Sequence, residues 1–273
     1  MTTQLIQPPA TVPAPTRWKR PIRVLAAVVA VLVLTIGVLT VIGYFMIRTS
    51  TRTTFFTEPV NRLQVAANTG NVVVRVGSAA RGATVVSRSQ SAFRTAEHTE
   101  TVVGGVLQVT GSCTGGLLVN DDCSVDFEIT VPPGTAVDAH ASTGSLSVFD
   151  TGAPVTARSN TGNIRVSGVG GTVRLRSNVG DISGVALAGG TVSAQSNTGD
   201  LRLTFTAAPA RLRAATDVGD VRIMVPDDAT RYRVSADVSV GERHIDVATD
   251  PASTRIVQLS TNTGDIRMGV VNR

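Results

Sequence analysis

The sequence predicts an all-β, repetitive β-solenoid, β-helix- or β-roll-like, with rungs of about 18–20 residues, preceded by one transmembrane α-helix. Three observations predict it. One turn motif returns at near-constant spacing through the second half of the chain, short runs of alternating polarity flank each copy, and a single uncharged apolar block stands near the N-terminus. Self-similarity at a fixed period of this size marks a stacked-repeat architecture.

Residues 1–23 read as a disordered cytoplasmic tail. Pro8, Pro9, Pro13 and Pro15 crowd its first sixteen positions, and such a stretch buries too little to order itself. Residues 24–47 then run for 24 positions without a charge. At 1.5 Å per residue, that is enough to cross a hydrocarbon core of roughly 30 Å. The run exceeds the apolar region of a secretory signal and its exit has no small-residue cleavage pattern, so it reads as an uncleaved anchor. Arg17, Lys19, Arg20 and Arg23 precede it, whereas only Arg48 and Arg52 follow closely. This bias places the N-terminus in the cytoplasm and the C-terminal bulk outside the cytoplasmic membrane. Trp18, Tyr44, Phe45 and the Phe55–Phe56 pair suit membrane interfaces, residues 48–57 read as a linker, and 58–273 as the extracytoplasmic domain.

A sequence pI near 10.2 suggests nucleic acid as a partner. Setting aside the four tail cations leaves 21 basic against 20 acidic residues. So balanced a domain exerts no general pull on a phosphate backbone, and nucleic acid is excluded as a partner on that ground. The two cysteines, Cys113 and Cys123, lie close together in a loop rich in Gly, Asn and Asp. In an exported domain such a pair predicts a disulfide.

The turn motif appears at Gly144, Gly162, Gly180, Gly199 and Gly219, spaced 18, 18, 19 and 20 residues apart, and again at Gly264. An early copy around Gly70 stands alone, and a degenerate one at 237–241 fills the gap before Gly264. Typical copies read Asn160-Thr161-Gly162-Asn163-Ile164 and Asn197-Thr198-Gly199-Asp200-Leu201. Asn and Asp bond locally to backbone and Gly accepts φ > 0, so this is turn chemistry. Alternating runs enter and leave each turn as half-buried strands. Pro132 and Pro226 close two strands, where proline removes the ladder donor. A unit this short cannot bury its own apolar face, so the units must stack, about ten of them at roughly 4.8 Å each.

Stacking sets equivalent residues in columns. Asn160, Asn178 and Asn197 form an asparagine ladder, bonded amide to amide between rungs. Asp181, Asp200, Asp220 and Asp265 form an acidic column beside Asn163. Arg202, Arg222 and Arg267 each stand two residues after an Asp on the same strand face, with Arg165 as a fourth. These arginines supply a counter-charge, which favours an alternating Asp/Arg surface over a calcium site; the nonapeptide of calcium-binding β-rolls is absent. No metal or cofactor is expected.

Catalytic signals are missing. His98, His140 and His244 occupy unrelated contexts, and no nucleophile elbow, zinc-binding helix or phosphate-binding loop occurs. Aromatics at 4% are too sparse for a sugar-stacking platform, and Asp121–Asp122 reads as a solvated loop. The recurring turn units, the cysteine loop and the Ile129-Thr130-Val131-Pro132-Pro133-Gly134 strand end resemble the bacterial adhesin-type family of exported β-solenoid domains, over about 58–270. Members of that family often follow one transmembrane helix in actinobacterial envelope proteins. The resemblance implies the fold and a surface role and supplies no catalytic or binding residues. The sequence therefore points to a non-enzymatic, membrane-anchored envelope protein that presents its solenoid for adhesion or for binding the cell wall or envelope partners. The alternatives are an envelope-stress or regulatory sensor read through a cytoplasmic-tail partner, and a self-assembling envelope scaffold.

Overall fold

A computed structural model of the chain describes residues 19–45, 48–78, 82–92, 94–115, 123–188 and 190–271. The proline-rich tail as far as residue 18 and the Asp121–Asp122 pair lie outside the described residues. The chain divides into two units, Met1–Met46 and Ile47–Arg273.

The first unit contains one helix, α1 (Lys19–Phe45). It begins five residues before the apolar run, taking in a stretch expected to be tail. Pro21 sits in its first turn, where a missing N–H costs no intrahelical bond. Side chains are described over 23–38, and every one of them is exposed. Among the described residues no helix is long and apolar enough to cross a membrane.

The second unit is built from β-strands. Its N-terminal part holds β1 (Arg48–Phe56), β2 (Arg62–Thr69), β3 (Val72–Val76), β4 (Ala83–Ser91), β5 (Thr95–Val103), β6 (Val106–Thr114) and β7 (Cys123–Val131). The regular part continues with β8 (Ala136–Thr143), β9 (Leu146–Phe149), β10 (Val155–Thr161), β11 (Ile164–Ser167), β12 (Thr172–Val179), β13 (Ile182–Leu187) and β14 (Thr191–Thr198). It ends with β15 (Leu201–Phe205), β16 (Arg211–Val218), β17 (Val221–Pro226), β18 (Arg233–Val240), β19 (Arg243–Ile245), β20 (Ile256–Thr263) and β21 (Ile266–Val271).

These strands form two sheets. Eleven run in the order β1-β4-β7-β3-β9-β11-β13-β15-β17-β21-β19, and ten in the order β18-β20-β16-β14-β12-β10-β8-β2-β6-β5. A rung is one strand of the ten-stranded sheet, the glycine turn, and one strand of the other sheet, as with β10 and β11. Rung pairs on rung in parallel and in register, Val155 beside Val173 and Ile164 beside Ile182. Alternation then does the sorting. Val155, Ala157 and Ser159 are buried, while Arg158 and Asn160 are exposed. The inward residues of both sheets make one core reaching from Val60 to Met268.

Three expectations are corrected here. Residues 48–57 are not a linker, because β1 pairs antiparallel with β4 from Arg48 beside Ser91 to Phe56 beside Ala83. Phe55 therefore stands about 24 Å along the strand from Arg48 at roughly 3.4 Å per residue. It is 74% exposed, while Phe56 packs against the core. The early motif does not stand alone: β2 and β3 stack directly on β8 and β9, placing Gly70 next to Gly144. Rungs also do not stack in chain order at the C-terminal end. β20 and β21 insert between β16–β17 and β18–β19, so the degenerate motif at 237–241 belongs to the end rung.

The inserted rung has the better sequence for an interior place. Val257, Leu259, Ile266 and Met268 are all buried to 1% exposure or less. In β18, Val234 and Val238 are only half-buried, as suits a rung with one neighbour. Tyr232 and Arg243 finish this end. Tyr232 is buried at 1% exposure, and Arg243 donates from Nη1 to the Ala236 carbonyl at 3.0 Å.

Candidate functional site

The turn column is the most regular feature of the molecule. Gly70, Gly144, Gly162, Gly180, Gly199, Gly219, Gly264 and Gly241 follow one another in space, with φ between 135° and 145°. Each amide but the last donates to the carbonyl before the next glycine, as Gly162 to Val179 at 2.9 Å and Gly264 to Val240 at 2.9 Å. A Cβ on Gly162 would lie 2.1 Å from the Gly144 oxygen. Only glycine fits, because the chain is both left-handed in φ and in direct contact with the backbone of the next rung.

The glycine carbonyls have their own partners, which the sequence reading missed. Ser159, Ser177, Ser196, Thr216 and Thr261 are buried, and each hydroxyl donates to the glycine carbonyl of the preceding rung at 3.0–3.2 Å. The signal is a Ser or Thr three residues before the glycine, in the inward phase of the strand. Ala141 and Val238 take that position before Gly144 and Gly241, so the hydroxyl tie is absent at the Gly70–Gly144 and Gly264–Gly241 junctions, while Thr261 keeps it at Gly219–Gly264, which also joins rungs out of chain order.

The asparagine ladder is realised at one step only. Asn178 reaches Asn160 from Nδ2 at 3.5 Å, the outer limit of a hydrogen bond, and Asn197 bonds to neither neighbour. The tie between rungs comes instead from the buried hydroxyls and from the acidic column. Asn163 Oδ1 accepts from the Asp181 amide at 2.8 Å, Asp181 from Asp200 at 2.9 Å, and Asp200 from Asp220 at 2.9 Å. Asp220 accepts from Asp265 at 3.0 Å, and Asp265 from the end-rung Glu242 at 3.0 Å. The second oxygen faces arginine: Asp200–Arg202 at 2.5 Å, Asp220–Arg222 at 3.2 Å and Asp265–Arg267 at 2.9 Å. Arg202 also lies 3.9 Å from Asp181. These pairs are close to half-exposed, so each contributes at most about 1 kcal/mol. Arg165, beside Asn163, makes no ion pair among the described residues.

Every carboxylate in this column is thus committed, one oxygen to a backbone amide and the other to a guanidinium. The structure does not gather the histidines. His98 faces inward on β5, while His140 and His244 project outward from β8 and β19. Among the described residues no group of three or more His, Cys, Asp or Glu is placed to hold a metal. Both ring nitrogens of His98, Oε1 of Glu100 and Oγ1 of Thr54 are buried without a hydrogen-bond partner in the N-terminal strands. Cys113 and Cys123 form a disulfide with Cα atoms 6.1 Å apart, joining the end of β6 to the start of β7. An apolar cleft of about 360 Å³ opens beside β1, lined by Phe55, Phe56, Ala83 and Val131 among others.

Several solved structures share a likeness. A protein provisionally named an adhesin from Bacteroides fragilis is 16% identical, covering 81% of this chain and 97% of its own, at a TM-score of 0.39. A protein provisionally described as lipid-binding from Parabacteroides distasonis is 10% identical, covering 82% and 97%, at 0.42. One described in the same provisional way as a cell adhesion protein, from Clostridium sporogenes, is 11% identical, covering 82% and 100%, at 0.36. No curated protein matches the chain in sequence. The family model that describes the Toastrack DUF4097 domain matches residues 57–269, nearly the whole of the second unit. The chain belongs to the Toastrack DUF4097 family.

Proposed function

We propose that the chain is a non-enzymatic envelope protein, anchored by residues 24–47 with its N-terminus in the cytoplasm, whose solenoid presents an extended polar surface for adhesion or for binding the cell wall or a partner. The carrying observation is the division of labour across each rung. Inward residues and turn residues are consumed by the fold, while outward residues of both sheets stand exposed in regular rows. Long regular faces of this kind suit extended partners.

The anchor and the sidedness rest on the 24-residue uncharged run and its four flanking cations. The Cys113–Cys123 bond agrees with an exported domain, since disulfides persist in oxidising compartments.

The test is co-sedimentation of the full chain, in neutral detergent, with isolated cell walls beside a protein-alone control. Pelleting only with walls supports the surface-binding reading. Remaining in the supernatant in both tubes overturns it and favours a sensor whose tail contacts a separate protein.

A further inference from the structure

The near-neutral charge of the solenoid conceals a segregation between its two outer faces. On the eleven-stranded sheet, Arg202, Arg222 and Arg267 are each paired with a carboxylate, and Arg165 on β11 stands without one among the described residues. On the ten-stranded sheet, Arg158, Arg174, Arg176, Arg211 and Arg213 project outward from β10, β12 and β16, all exposed. Arg158 and Arg176 are direct neighbours in adjacent strands. Arg174, Ser193 and Arg213 lie in one line across β12, β14 and β16, which sets the two cations about 10 Å apart at the sheet spacing. Arg158 has Asp138 at 3.2 Å. The other four side chains make no ion pair or hydrogen bond among the described residues.

Like charges on neighbouring strands oppose folding, and nothing in the rung requires arginine here. Equivalent positions carry Thr156, Gln195 and Gln258. The arrangement therefore calls for an anion from outside the fold. Guanidinium forks match phosphate oxygens in pairs. The outward residues from β8 to β16 include no Phe, Tyr or Trp, and their one ring, His140, stands on β8 beside Arg158, so the face has no row of rings on which successive bases or sugars could stack. Their exposed large apolar residues, Val179 and Val218, stand singly at the turn ends of β12 and β16, not in the continuous apolar face that a bilayer-seated surface inserts.

We infer that this face binds a linear phosphate polymer, a chain without aromatic rings laid across the rungs from β10 to β16. The inference rests on the surface-binding reading and supplies the chemistry of its partner. Net neutrality had argued against phosphate in general, but the local field of four unpaired guanidinium groups decides at contact distance.

The test uses the full chain in phosphatidylcholine nanodiscs and end-labelled sodium polyphosphate, read by fluorescence anisotropy. The variant R174Q/R176Q/R211Q/R213Q removes the patch, and R202Q/R222Q/R267Q removes the paired arginines of the opposite sheet. At about 0.7 logarithmic units of salt slope per phosphate contact, four contacts give a slope near −2.8. The affinity advantage of the wild type over the first variant then shrinks about fifty-fold between 50 and 200 mM salt. Tail cations are common to all three proteins and cancel. The second variant binds as the wild type does, and melting curves show that both variants are folded. Equal binding by the first variant, or an equal loss in the second, overturns the inference. So does stronger patch-dependent binding to phosphatidylglycerol vesicles, which would make a bilayer the occupant. Pelleting with walls but no patch-dependent polyphosphate binding sinks this inference alone; polyphosphate binding without pelleting sinks the wall reading alone.

Discussion

Replacing Ser177 with alanine tests whether the buried hydroxyls hold the rungs together. Ser177 is fully buried, and its hydroxyl donates to the Gly162 carbonyl at 3.1 Å. That carbonyl has no other donor among the described residues. Deleting the hydroxyl therefore forfeits a hydrogen bond of about 1 kcal/mol and strands a buried acceptor, for a total near 1–2 kcal/mol. Each kcal/mol moves Tm by roughly 2–4 °C in a domain of this size, so the midpoint falls by about 2–8 °C. The assay is thermal unfolding of the full chain in detergent, followed by circular dichroism. Ser177→Thr is the matched control, since Thr216 and Thr261 fill the same position in their own rungs. The threonine variant should melt within about 1 °C of the wild type. An unchanged Ser177→Ala midpoint would refute the reasoning, because the carbonyl would then have to be satisfied some other way.

Three further outcomes follow from the same geometry. Gly180→Ala forces a side chain into φ +142° with its Cβ 2.3 Å from the Gly162 oxygen; it should cost more than about 3 kcal/mol and show as loss of folded protein on expression, with soluble wild-type-like yield as the contrary result. Breaking the disulfide with C113S/C123S reopens a short loop between β6 and β7 and should lower stability by about 2–3 kcal/mol in urea unfolding, a value near zero counting against it. Tyr232 has its phenol pushed above the ordinary value near 10 by burial, with the Asp228 charge adding to the effect. The folded state therefore keeps a proton that the unfolded state gives up. Its contribution is intact below pH 10 and is lost as pH rises beyond it. Tyr232→Phe should flatten that alkaline decline in stability, and an identical decline in both proteins would contradict the assignment.

What the sequence disclosed was whatever the rung encodes locally. Glycine spacing, the polar turn and the alternation around Val155 and Ile164 each depend on a few neighbouring residues, and all three are realised. The hydroxyl column was also within reach, since counting by twos from Val155 and Ala157 lands on Ser159. Serine, though, reads as surface unless that parity is followed through. The order of rungs was out of reach. Nothing local in Asn262-Thr263-Gly264 says that its partners are Gly219 and Gly241 rather than two successive copies. β1 was hidden for a different reason: Arg48-Thr49-Ser50-Thr51-Arg52 alternates no apolar residues, because an edge strand flanking the core has little to bury. The arginine face was hidden by averaging, since a net charge sums over both sheets and a ligand meets only one.

The turn column and the faces therefore answer to different demands. Inside the column the groups are paired: glycine amides meet carbonyls, the glycine carbonyls from Gly144 to Gly219 meet hydroxyls, and each aspartate divides its two oxygens between an amide and an arginine. A ligand approaching Asp200 or Asp220 would have to displace a bond already made, so the acidic column is a poor place for recognition despite its charge. Outward positions carry no such debt. Along the single register line Asp138, Thr156, Arg174, Ser193, Arg213 and Gln258, residue type changes at every rung while strand pairing does not. Four guanidinium groups on that sheet are free in the sense that matters for binding, because releasing them breaks nothing. The same independence makes the surface testable, since replacing them removes charge while the residues that stack the rungs stay in place.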